Sequence, residues 1–258
     1  MTFALITGAS GGIGLSMARE LAKRKHNLLL VARSADKLAT IKTELSQQFN
    51  VQVEYIQLDL AKPGAAGDVK NWVDRNNFSV NILINNAGYG KWGNFEAADA
   101  QDTTNMLQLN MITMVDLCRD FIPALKKHPK AYILNVASTA AYQAVPTFAA
   151  YAASKAFVVL FTRGLRAELN KSNISVSCLS PGATATGFVD RAGMQKLKER
   201  ADKFSMKAEV VASMAIGKMF KGKAEIIPGF TNWLSVQLTY LVPKRLPEII
   251  AEGLYKTK

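Results

Sequence analysis

Short β-rich runs of apolar residues alternate with helical patterns along almost the whole chain, and this alternation is the feature that most limits its fold. Strands joined by right-handed crossover helices form a parallel sheet, and almost continuously apolar strands are typical of a sheet buried on both faces. Strands are predicted at 2–7, 27–32, 51–58, 80–86, 130–138, 174–180 and 224–228, and helices near 12–25, 35–49, 64–77, 99–126, 149–171 and 207–221.

Two parts of the chain fall outside this alternation. Residues 187–206 are predicted to be a mobile helical insertion, and residues 229–258 a packed C-terminal extension with an apolar cluster and a short final helix. A lid or a membrane-surface patch is the alternative interpretation of that cluster. Because no repeat, linker or low-complexity segment interrupts the pattern, residues 1–258 are interpreted as one domain.

The charge and cysteine content limit the partners and the compartment. A net charge of +12 could suggest nucleic acid, an anionic membrane or a phosphate-bearing ligand, but the cations are dispersed among acids and no nucleic-acid-binding motif accompanies them. Cys118 and Cys178 lack metal-ligand spacing and are interpreted as buried, reduced thiols. Without a leader or a transmembrane-length apolar run, we expect a cytoplasmic protein that binds no nucleic acid and no metal.

The first predicted strand runs directly into a glycine-rich loop, TGASGGIG at 7–14, which then enters a helix. Gly8, Gly12 and Gly14 stand where a tight turn, a close approach to a phosphate and close helix–strand packing each require a missing side chain. The free N–H groups and dipole of the helix N-terminus favour a pyrophosphate there. This arrangement predicts a dinucleotide site.

The end of the second strand indicates which dinucleotide binds. NAD-binding proteins place an acid there for the ribose hydroxyls, whereas this chain has Ala32 followed by Arg33. A guanidinium can hold a 2′-phosphate with two charge-assisted hydrogen bonds, so NADP(H) is predicted; a solvated surface arginine is the alternative. Asp59, just after the third strand, could accept a hydrogen bond from the adenine amino group, cap the next turn, or do both.

The motif YAASK places Tyr151 and Lys155 on one face of a predicted helix, one turn apart. The spacing alone is ambiguous, because Tyr240 and Lys244 repeat it by chance. Pro243 lies between the second pair and disfavours a shared helix there. An ammonium about 4 Å from a phenol supplies about 1 kcal/mol in water and about 4 kcal/mol at an effective dielectric near 20. A lysine alone therefore lowers a tyrosine pKa towards neutrality only in a dry pocket.

Five motifs then follow one another along the chain in a fixed order: TGASGGIG at 7–14, NNAG at 85–88, Ser138, Tyr151 with Lys155, and PG at 181–182. Together they resemble the short-chain dehydrogenase/reductase family, from Thr2 to about Gly229. The resemblance implies a Rossmann-type doubly wound α/β fold, a parallel sheet of about seven strands in the order 3-2-1-4-5-6-7 with helices on both faces. Arg33 is similar to the residue of the single-domain, NADP-preferring members.

The resemblance also implies roles for single residues. Tyr151 would be the proton donor, Ser138 would stabilise charge on the substrate oxygen, Lys155 would also hold the nicotinamide ribose, and Asn110 would position a water in the relay. A turn or helix cap for Ser138, a helix residue packed beside the sheet for Tyr151 and a buried helix amide for Asn110 are the structural alternatives. The implied cofactor-binding residues are Gly8, Ser10, Gly12, Ile13, Gly14, Arg33, Asp59, Asn86, Ala87, Gly88, Tyr151, Lys155, Pro181, Gly182 and Thr186, with Asn85 steadying the central strand.

These observations predict an NADP(H)-dependent oxidoreductase that acts on a carbonyl or secondary alcohol. The family pairs through the helices near 99–126 and 149–171, which implies a homodimer or homotetramer. The alternative is a catalytically idle nucleotide-sensing or protein-interaction module on the same fold. An apolar small-molecule substrate is predicted because the loop residues that could face it are mostly apolar or aromatic: Tyr89, Trp92, Ala140, Tyr142, Pro146, Phe188, Val189 and Met194.

Overall fold

A central parallel sheet organises the molecule in the computed structural model, which describes residues 1–195 and 204–255. Its seven strands are β1 (Phe3–Thr7), β2 (Asn27–Ala32), β3 (Val53–Gln57), β4 (Val80–Asn85), β5 (Ala131–Val136), β6 (Ile174–Leu179) and β9 (Glu225–Ile226). They lie in the order β3-β2-β1-β4-β5-β6-β9, and every neighbouring pair is parallel. The Rossmann-type fold is therefore confirmed.

The last strand of the sheet differs from the expected order only in its number along the chain. Two short strands, β7 (Thr184–Ala185) and β8 (Met206–Lys207), precede it in sequence. They pair with each other in a separate two-stranded sheet, so the seventh position is taken by β9.

Helices occupy all six stretches that the sequence pattern predicts, the stretch near 99–126 being divided into two, and further helices lie in the 187–206 segment and in the C-terminal extension. They are α1 (Gly12–Lys23), α2 (Ala35–Phe49), α3 (Ala65–Arg75), α4 (Ala100–Leu107), α5 (Thr113–Leu125), α6 (Ala149–Glu168), α7 (Phe188–Arg191), α8 (Ala208–Phe220), α9 (Phe230–Leu241) and α10 (Arg245–Tyr255). A π-helical turn, Gln108–Ile112, joins α4 to α5, and a short 3₁₀ helix, Thr139–Tyr142, follows β5. No helix among the described residues is long and apolar enough to cross a membrane.

The sheet divides the core into two layers, because successive side chains of a strand point to opposite faces. In β1, Phe3 and Leu5 enter one buried cluster, whereas Ala4 and Ile6 enter the other. The first cluster also holds the buried sides of α3, α5 and α6, and the second those of α1, α2 and α8. The near-continuous apolar strands of the sequence are thus explained by helices on both faces.

The segment at 187–206 can be compared with its prediction only in part. The segment begins with the helix α7, but its residues 196–203, and with them the predicted mobility, lie outside the described residues.

Cys118 and Cys178 are both buried and free, as predicted. At the other end of the tail, residues 256–258 also lie outside the described residues.

The C-terminal extension consists of α9 and α10. Helix α9 ends at Leu241, two residues before Pro243, so Tyr240 and Lys244 do not share a helix. The side chain of Lys244 instead folds back, and its Nζ atom lies 5.6 Å from the centroid of the Tyr240 ring. The second Tyr-x-x-x-Lys match is therefore a local packing contact at a helix end.

Candidate functional site

The glycine loop after β1 is built so that backbone approaches backbone. Gly8 and Gly12 have φ angles of +67° and +55°, a region that favours glycine. A Cβ atom on Gly14 would lie 2.4 Å from the carbonyl oxygen of Gly8. Helix α1 begins after Gly11 without a side-chain cap, so the N–H groups of its first turn remain free for an anion. Ser10 and Ile13 belong to this loop and are partly buried.

The segment after β4 supports this loop from behind. The Nδ2 atom of Asn86 donates to the carbonyl oxygens of Thr7, at 2.9 Å, and Gly8, at 3.3 Å. The Oγ1 atom of Thr7 accepts in turn from the backbone N–H groups of Asn86 and Ala87, both at 3.0 Å. The side chain of Asn86 therefore acts within the protein and fixes the geometry of the turn.

Asn85, the last residue of β4, belongs to a buried polar network that crosses the sheet. Its Nδ2 atom donates to Oδ1 of Asn135 at 2.9 Å and to Sγ of Cys118 at 3.2 Å. The Nδ2 atom of Asn135 then donates to Oγ1 of Thr162 at 3.0 Å. Helices α5 and α6 are thereby tied to the two central strands, which agrees with a steadying role for Asn85.

Gly88 joins the glycine-loop region to the YAASK helix. A Cβ atom at this position would lie 2.9 Å from Oδ1 of Asn110 and 3.2 Å from Nζ of Lys155. The backbone of Gly88 therefore packs directly against two of the predicted catalytic side chains. Only glycine fits this position without displacing one of them.

Tyr151 and Lys155 lie on the buried side of α6, with relative exposures of 6% and 4%. The Nζ atom of Lys155 donates to the carbonyl oxygen of Val136 at 2.9 Å and lies 5.8 Å from the centroid of the Tyr151 ring. Burial lowers the pKa of Lys155 to about 8, so the side chain is still mostly protonated at pH 7. Both residues of the YAASK motif are thus held in a dry pocket.

The pKa of Tyr151 differs from the expected direction. Burial raises the pKa of the phenol above its ordinary value, and a hydrogen bond with Ser138 opposes that shift. The expected depression by Lys155 is absent in the protein without its cofactor, because the ammonium is directed at Val136 and the loss of solvation dominates. The tyrosine is therefore protonated at neutral pH.

Ser138 lies at the end of β5, where its Oγ atom accepts a hydrogen bond from the N–H of Ala140 at 3.1 Å. The cap of the short 3₁₀ helix, which the sequence allowed as an alternative, is thus present. The turn-cap interpretation of Ser138 is thus supported, and its role at the substrate oxygen stays a prediction.

Asn110 lies in the π-helical turn between α4 and α5, and such turns are frequent at functional sites. Its Nδ2 atom donates to the carbonyl oxygen of Tyr89 and to Oγ of Ser154, both at 3.0 Å, while Oδ1 accepts from the N–H of Tyr89 at 3.2 Å. The amide is buried and engaged on both sides. Its side chain therefore fixes the chain after Gly88 and the start of α6.

Helix α7 contributes a cation that the sequence interpretation did not single out. Arg33 is exposed after β2, and the Oδ1 atom of Asp59 accepts from the N–H of Ala61 at 3.1 Å, which is the predicted turn cap. Arg191, from α7, lies with its guanidinium 4.5 Å from the ring centroid of Tyr89. Burial lowers the pKa of Arg191, and the positive charge of Arg33 lowers it further. Only the position of Arg191 in the 187–206 segment could have suggested it.

The loop after β6 closes the crevice opposite the glycine turn. A Cβ atom on Gly12 would lie 3.0 Å from Cγ2 of Thr186, so these two segments are in contact. The carbonyl oxygen of Pro181 accepts from the N–H of Thr139 at 3.0 Å, next to Ser138. A Cβ atom on Gly182 would lie 2.6 Å from the amide of Asn232 in α9. The predicted residues of this loop therefore border the crevice, with Thr186 against the glycine loop.

An aromatic wall lies beside Tyr151. The ring of Phe148 stacks on Tyr151 with centroids 4.4 Å apart, and Phe188 lies 5.5 Å from Tyr151. Tyr255, at the end of α10, also stacks on Phe148, with ring centroids 6.1 Å apart, and its carbonyl oxygen accepts a hydrogen bond from Nε1 of Trp92 at 3.0 Å. Phe148 and Tyr255 were not among the predicted substrate-facing residues, because nothing in their local pattern distinguishes them from core aromatics.

Two of the residues expected at the substrate have their hydroxyl groups bound elsewhere. The hydroxyl of Tyr89 donates to the Oδ1 atom of Asp102 at 2.9 Å, and burial raises the pKa of Tyr89 to about 12. The hydroxyl of Tyr142 donates to Glu225 at 2.5 Å and contacts Oγ of Ser180 at 2.9 Å. These partners hold both tyrosines as parts of the scaffold around the crevice.

Comparison with known sequences gives one family. The family model for short chain dehydrogenases matches residues 2–197. A very-long-chain 3-oxoacyl-CoA reductase-like protein of Arabidopsis thaliana is 30% identical over 250 residues, which cover 95% of this chain and 78% of that protein.

Solved structures give the same fold. A short-chain dehydrogenase from Sphingobium yanoikuyae in complex with NADPH is similar with a TM-score of 0.83 and 29% identity, over 93% of this chain and 94% of that chain. A short chain dehydrogenase/reductase from Burkholderia phymatum in complex with NAD is similar with a TM-score of 0.84 at 23% identity, over 92% of each chain. Proteins of one fold thus hold either nicotinamide dinucleotide.

Proposed function

The chain belongs to the short chain dehydrogenase family, and from this premise we propose that it transfers a hydride between NADP(H) and a carbonyl or secondary alcohol, with Tyr151 as the proton donor. The family assignment makes it an oxidoreductase with a nicotinamide cofactor. The observation that carries this proposal is that Tyr151 and Lys155, both buried, lie together with the partly buried Ser138 beside Gly88, at the carboxyl edge of the sheet where the glycine loop also ends. The complete set does not favour an idle module.

The residues of the crevice fit a nicotinamide dinucleotide. At Gly8 and Gly14 a Cβ atom would meet backbone or side-chain atoms closer than 3.0 Å, and the first turn of α1 has no side-chain cap. These features leave a turn whose backbone an anion can approach. Bound there, the cofactor supplies or accepts the hydride. Lys155 would hold its nicotinamide ribose and Arg33 its 2′-phosphate.

Proton transfer from Tyr151 completes the reduction of a carbonyl. The hydride adds to the carbonyl carbon, and the phenol proton moves to the oxygen, which leaves an alcohol and a phenolate. Ser138 would donate a hydrogen bond to the same oxygen as its charge develops. The raised pKa of Tyr151 suits this direction, because the phenol is protonated at neutral pH before the reaction.

Lys155 and the π-helical turn would return a proton to the phenolate. With a pKa of about 8, Lys155 is a cation at pH 7 and stabilises a phenolate about one helical turn away. The amide of Asn110 is already engaged with Tyr89 and Ser154, so its contribution to the relay would come from main-chain groups of the turn it holds. This refines the role that the family resemblance implies.

Arg33 carries the proposed preference for NADP(H) over NAD(H). It follows Ala32, which stands where an acid would repel a 2′-phosphate, and its guanidinium can donate two hydrogen bonds to that group. Arg191 would supply a second cation, since its guanidinium lies over the ring of Tyr89, directly after Gly88. The NADPH-bound relative supports this assignment by similarity alone.

An apolar carbonyl compound or secondary alcohol is the proposed substrate class. The wall beside Tyr151 consists of the rings of Phe148, Phe188 and Tyr255. Such a surface binds apolar groups and leaves Tyr151 and Ser138 as the polar groups that orient the oxygen. A homodimer through α6 is also proposed, because Phe157 and Leu160 on that helix are exposed at 39% and 73%.

The proposed function is tested by titrating the purified protein with NADPH and, separately, with NADH, while following nicotinamide fluorescence at fixed salt. Tight binding of NADPH and much weaker binding of NADH are expected. Turnover is then measured with NADPH and a series of apolar ketones. Equal affinity for both cofactors would contradict the NADP preference, and binding without turnover of any carbonyl compound would favour the idle module.

A further inference from the structure

Helix α9 packs on the protein with its small and polar residues and turns its large apolar side chains to solvent. Val236 and Thr239 are buried, whereas Leu241 is 79% exposed. The exposed side chains recur at helical spacing, which defines a continuous outer face. The apolar residues of this face are Phe230, Trp233, Leu234, Leu238 and Leu241.

Helix α10 also exposes most of its large apolar side chains to solvent. Pro247 and Ala251 are buried, and Ile250 is 62% exposed. Its exposed apolar side chains are Leu246, Ile249, Ile250 and Leu254. Together with the five side chains of α9, these four residues are called the C-terminal apolar surface below. A globular helix ordinarily buries such residues, so an exposed set of this size indicates a partner.

The charges around this surface indicate what the partner is. No charged residue occurs from 229 to 243; Lys244 follows just before α10, and α10 itself carries Arg245, Glu248 and Glu252. The whole chain carries a net charge of +12. An anionic lipid bilayer would accept the apolar side chains and attract the positively charged chain, by about 1 kcal/mol for each cation near the lipid surface.

We propose that the C-terminal apolar surface docks the protein on the surface of an anionic lipid bilayer. The helices would lie in the interface with their outer faces among the acyl chains, as interfacial amphipathic helices do. Lys244 and Arg245 would lie at the level of the lipid headgroups. No helix among the described residues spans a membrane, so the docking is peripheral and reversible.

This docking has a consequence for the site, which rests on the proposed function. Tyr255 ends α10 and stacks on Phe148, which stacks on Tyr151. The helix that would contact the lipid therefore also forms the wall of the substrate side. An apolar substrate dissolved in the bilayer would enter the crevice beside this wall without crossing water.

The test is flotation of the full-length protein with vesicles of phosphatidylcholine and with vesicles that also contain phosphatidylglycerol. Flotation with the anionic vesicles is expected, and it is expected to weaken as salt is added. The double variant Leu241→Glu with Ile250→Glu should lower the bound fraction at least tenfold. Both side chains are exposed, so the variant should fold; its titration with NADPH checks this and is independent of lipid.

Two matched variants separate the apolar surface from general charge. Leu241→Met with Ile250→Leu keeps the apolar area and should float like the wild type. Gln47→Glu with Gln48→Glu adds the same two charges on exposed positions of α2, beside β3 at the opposite edge of the sheet, and should also float. Absence of flotation with anionic vesicles would overturn the proposal. An equal loss of flotation in the α2 variant would also overturn it. So would a wild-type assembly that the double variant Leu241→Glu with Ile250→Glu dissociates, if neither protein binds vesicles.

Discussion

The cofactor side and the C-terminal side of the crevice are built by opposite means. Around the glycine loop, backbone meets backbone, and a Cβ atom at Gly14 would lie only 2.4 Å from its neighbours. Around α9 and α10, large side chains form the surfaces, and Tyr255 reaches the crevice through a stack of rings. The first region fixes positions to a fraction of an ångström, whereas the second depends on apolar area.

This difference has a physical basis in each region. At Gly8 and Gly14 a Cβ atom has no space, so the residues around the glycine loop have little freedom. A wall of rings can be rebuilt with other apolar residues at small cost in stability. Tyr151, as the proposed proton donor, would act where the two regions meet.

Replacing Tyr151 with Phe should have the largest effect, because the variant removes the proton donor and keeps the ring. Turnover with NADPH and an apolar ketone should fall about a thousandfold or more, while NADPH affinity changes by less than about twofold. Steady-state rates and the fluorescence titration measure both quantities. Tyr142→Phe is the control, since that hydroxyl is engaged by Glu225 and Ser180. Retained turnover in Tyr151→Phe would remove the proton-donor role.

Lys155→Met should abolish turnover and, in the cofactor-free protein, stabilise the fold. Burial of the ammonium lowers the pKa of Lys155 from 10.5 to about 8, which corresponds to a cost of about 3 kcal/mol when the side chain is protonated in both states. That cost is fully present below pH 8. Between about pH 8 and 10.5 the unfolded chain keeps the proton and the folded one releases it, so the free energy of unfolding rises with pH.

The measurement is chemical denaturation of wild type and Lys155→Met at several pH values. The variant should be more stable by up to about 3 kcal/mol at pH 7, and the gap should close as the pH approaches 10.5. Lys126→Met, at an exposed position after α5, should show no such pH-dependent gap. A constant difference between the two proteins at every pH would show that the ammonium is not the source of the cost.

Gly14→Ala tests the close packing of the cofactor side directly. The added methyl group would lie 2.4 Å from both the Gly8 carbonyl oxygen and Nδ2 of Asn86, so the loop must shift. We expect a loss of about 2–3 kcal/mol in the free energy of unfolding and at least tenfold weaker NADPH binding. Gly11→Ala is the matched control in the same loop, because its Cβ atom meets nothing within 4 Å. Similar losses in both variants would mean that the loop tolerates no side chain for another reason.

The fold and the closely packed glycine positions could be predicted from the sequence, because each requires residue types that few others can replace. Strand periodicity follows from burial on both faces, and Gly8, Gly14 and Gly88 are required where a Cβ atom has no space. The pKa of Tyr151 could not be predicted, because it depends on how completely the ring is buried and on where Nζ of Lys155 is directed.

The residues of the proposed substrate side have weaker signals in the sequence. Phe148 and Tyr255 are ordinary aromatic residues in sequence, and their stack forms only when α10 returns to the crevice from more than a hundred residues away. Arg191 likewise reaches Tyr89 only through the position of α7. Long-range packing of this kind has no local pattern.

Arg33→Ala tests the proposed contact with the 2′-phosphate, which on the cofactor side depends on a side chain and not on the backbone. Loss of a charge-assisted hydrogen-bonding group should weaken NADPH binding about tenfold to a hundredfold and leave NADH binding nearly unchanged. Fluorescence titration with both cofactors measures the difference. Arg75→Ala removes an exposed cation on α3 and should change neither affinity. An equal loss of affinity for both cofactors would contradict the assignment of Arg33 to the 2′-phosphate.

Tyr255→Ala should have the smallest effect, and it probes the region that depends on apolar area. Removing the outer ring of the stack should raise KM about tenfold for a bulky apolar ketone, because apolar surface is lost from the wall, while a small ketone that does not reach the ring is affected little. Tyr255→Phe keeps the ring and should behave like the wild type, since the contacts to Phe148 and Trp92 come from the ring and the backbone carbonyl. A uniform fall in kcat for both ketones would instead mean that Tyr255 supports the position of Tyr151, and that the C-terminal side is as closely fitted as the glycine loop.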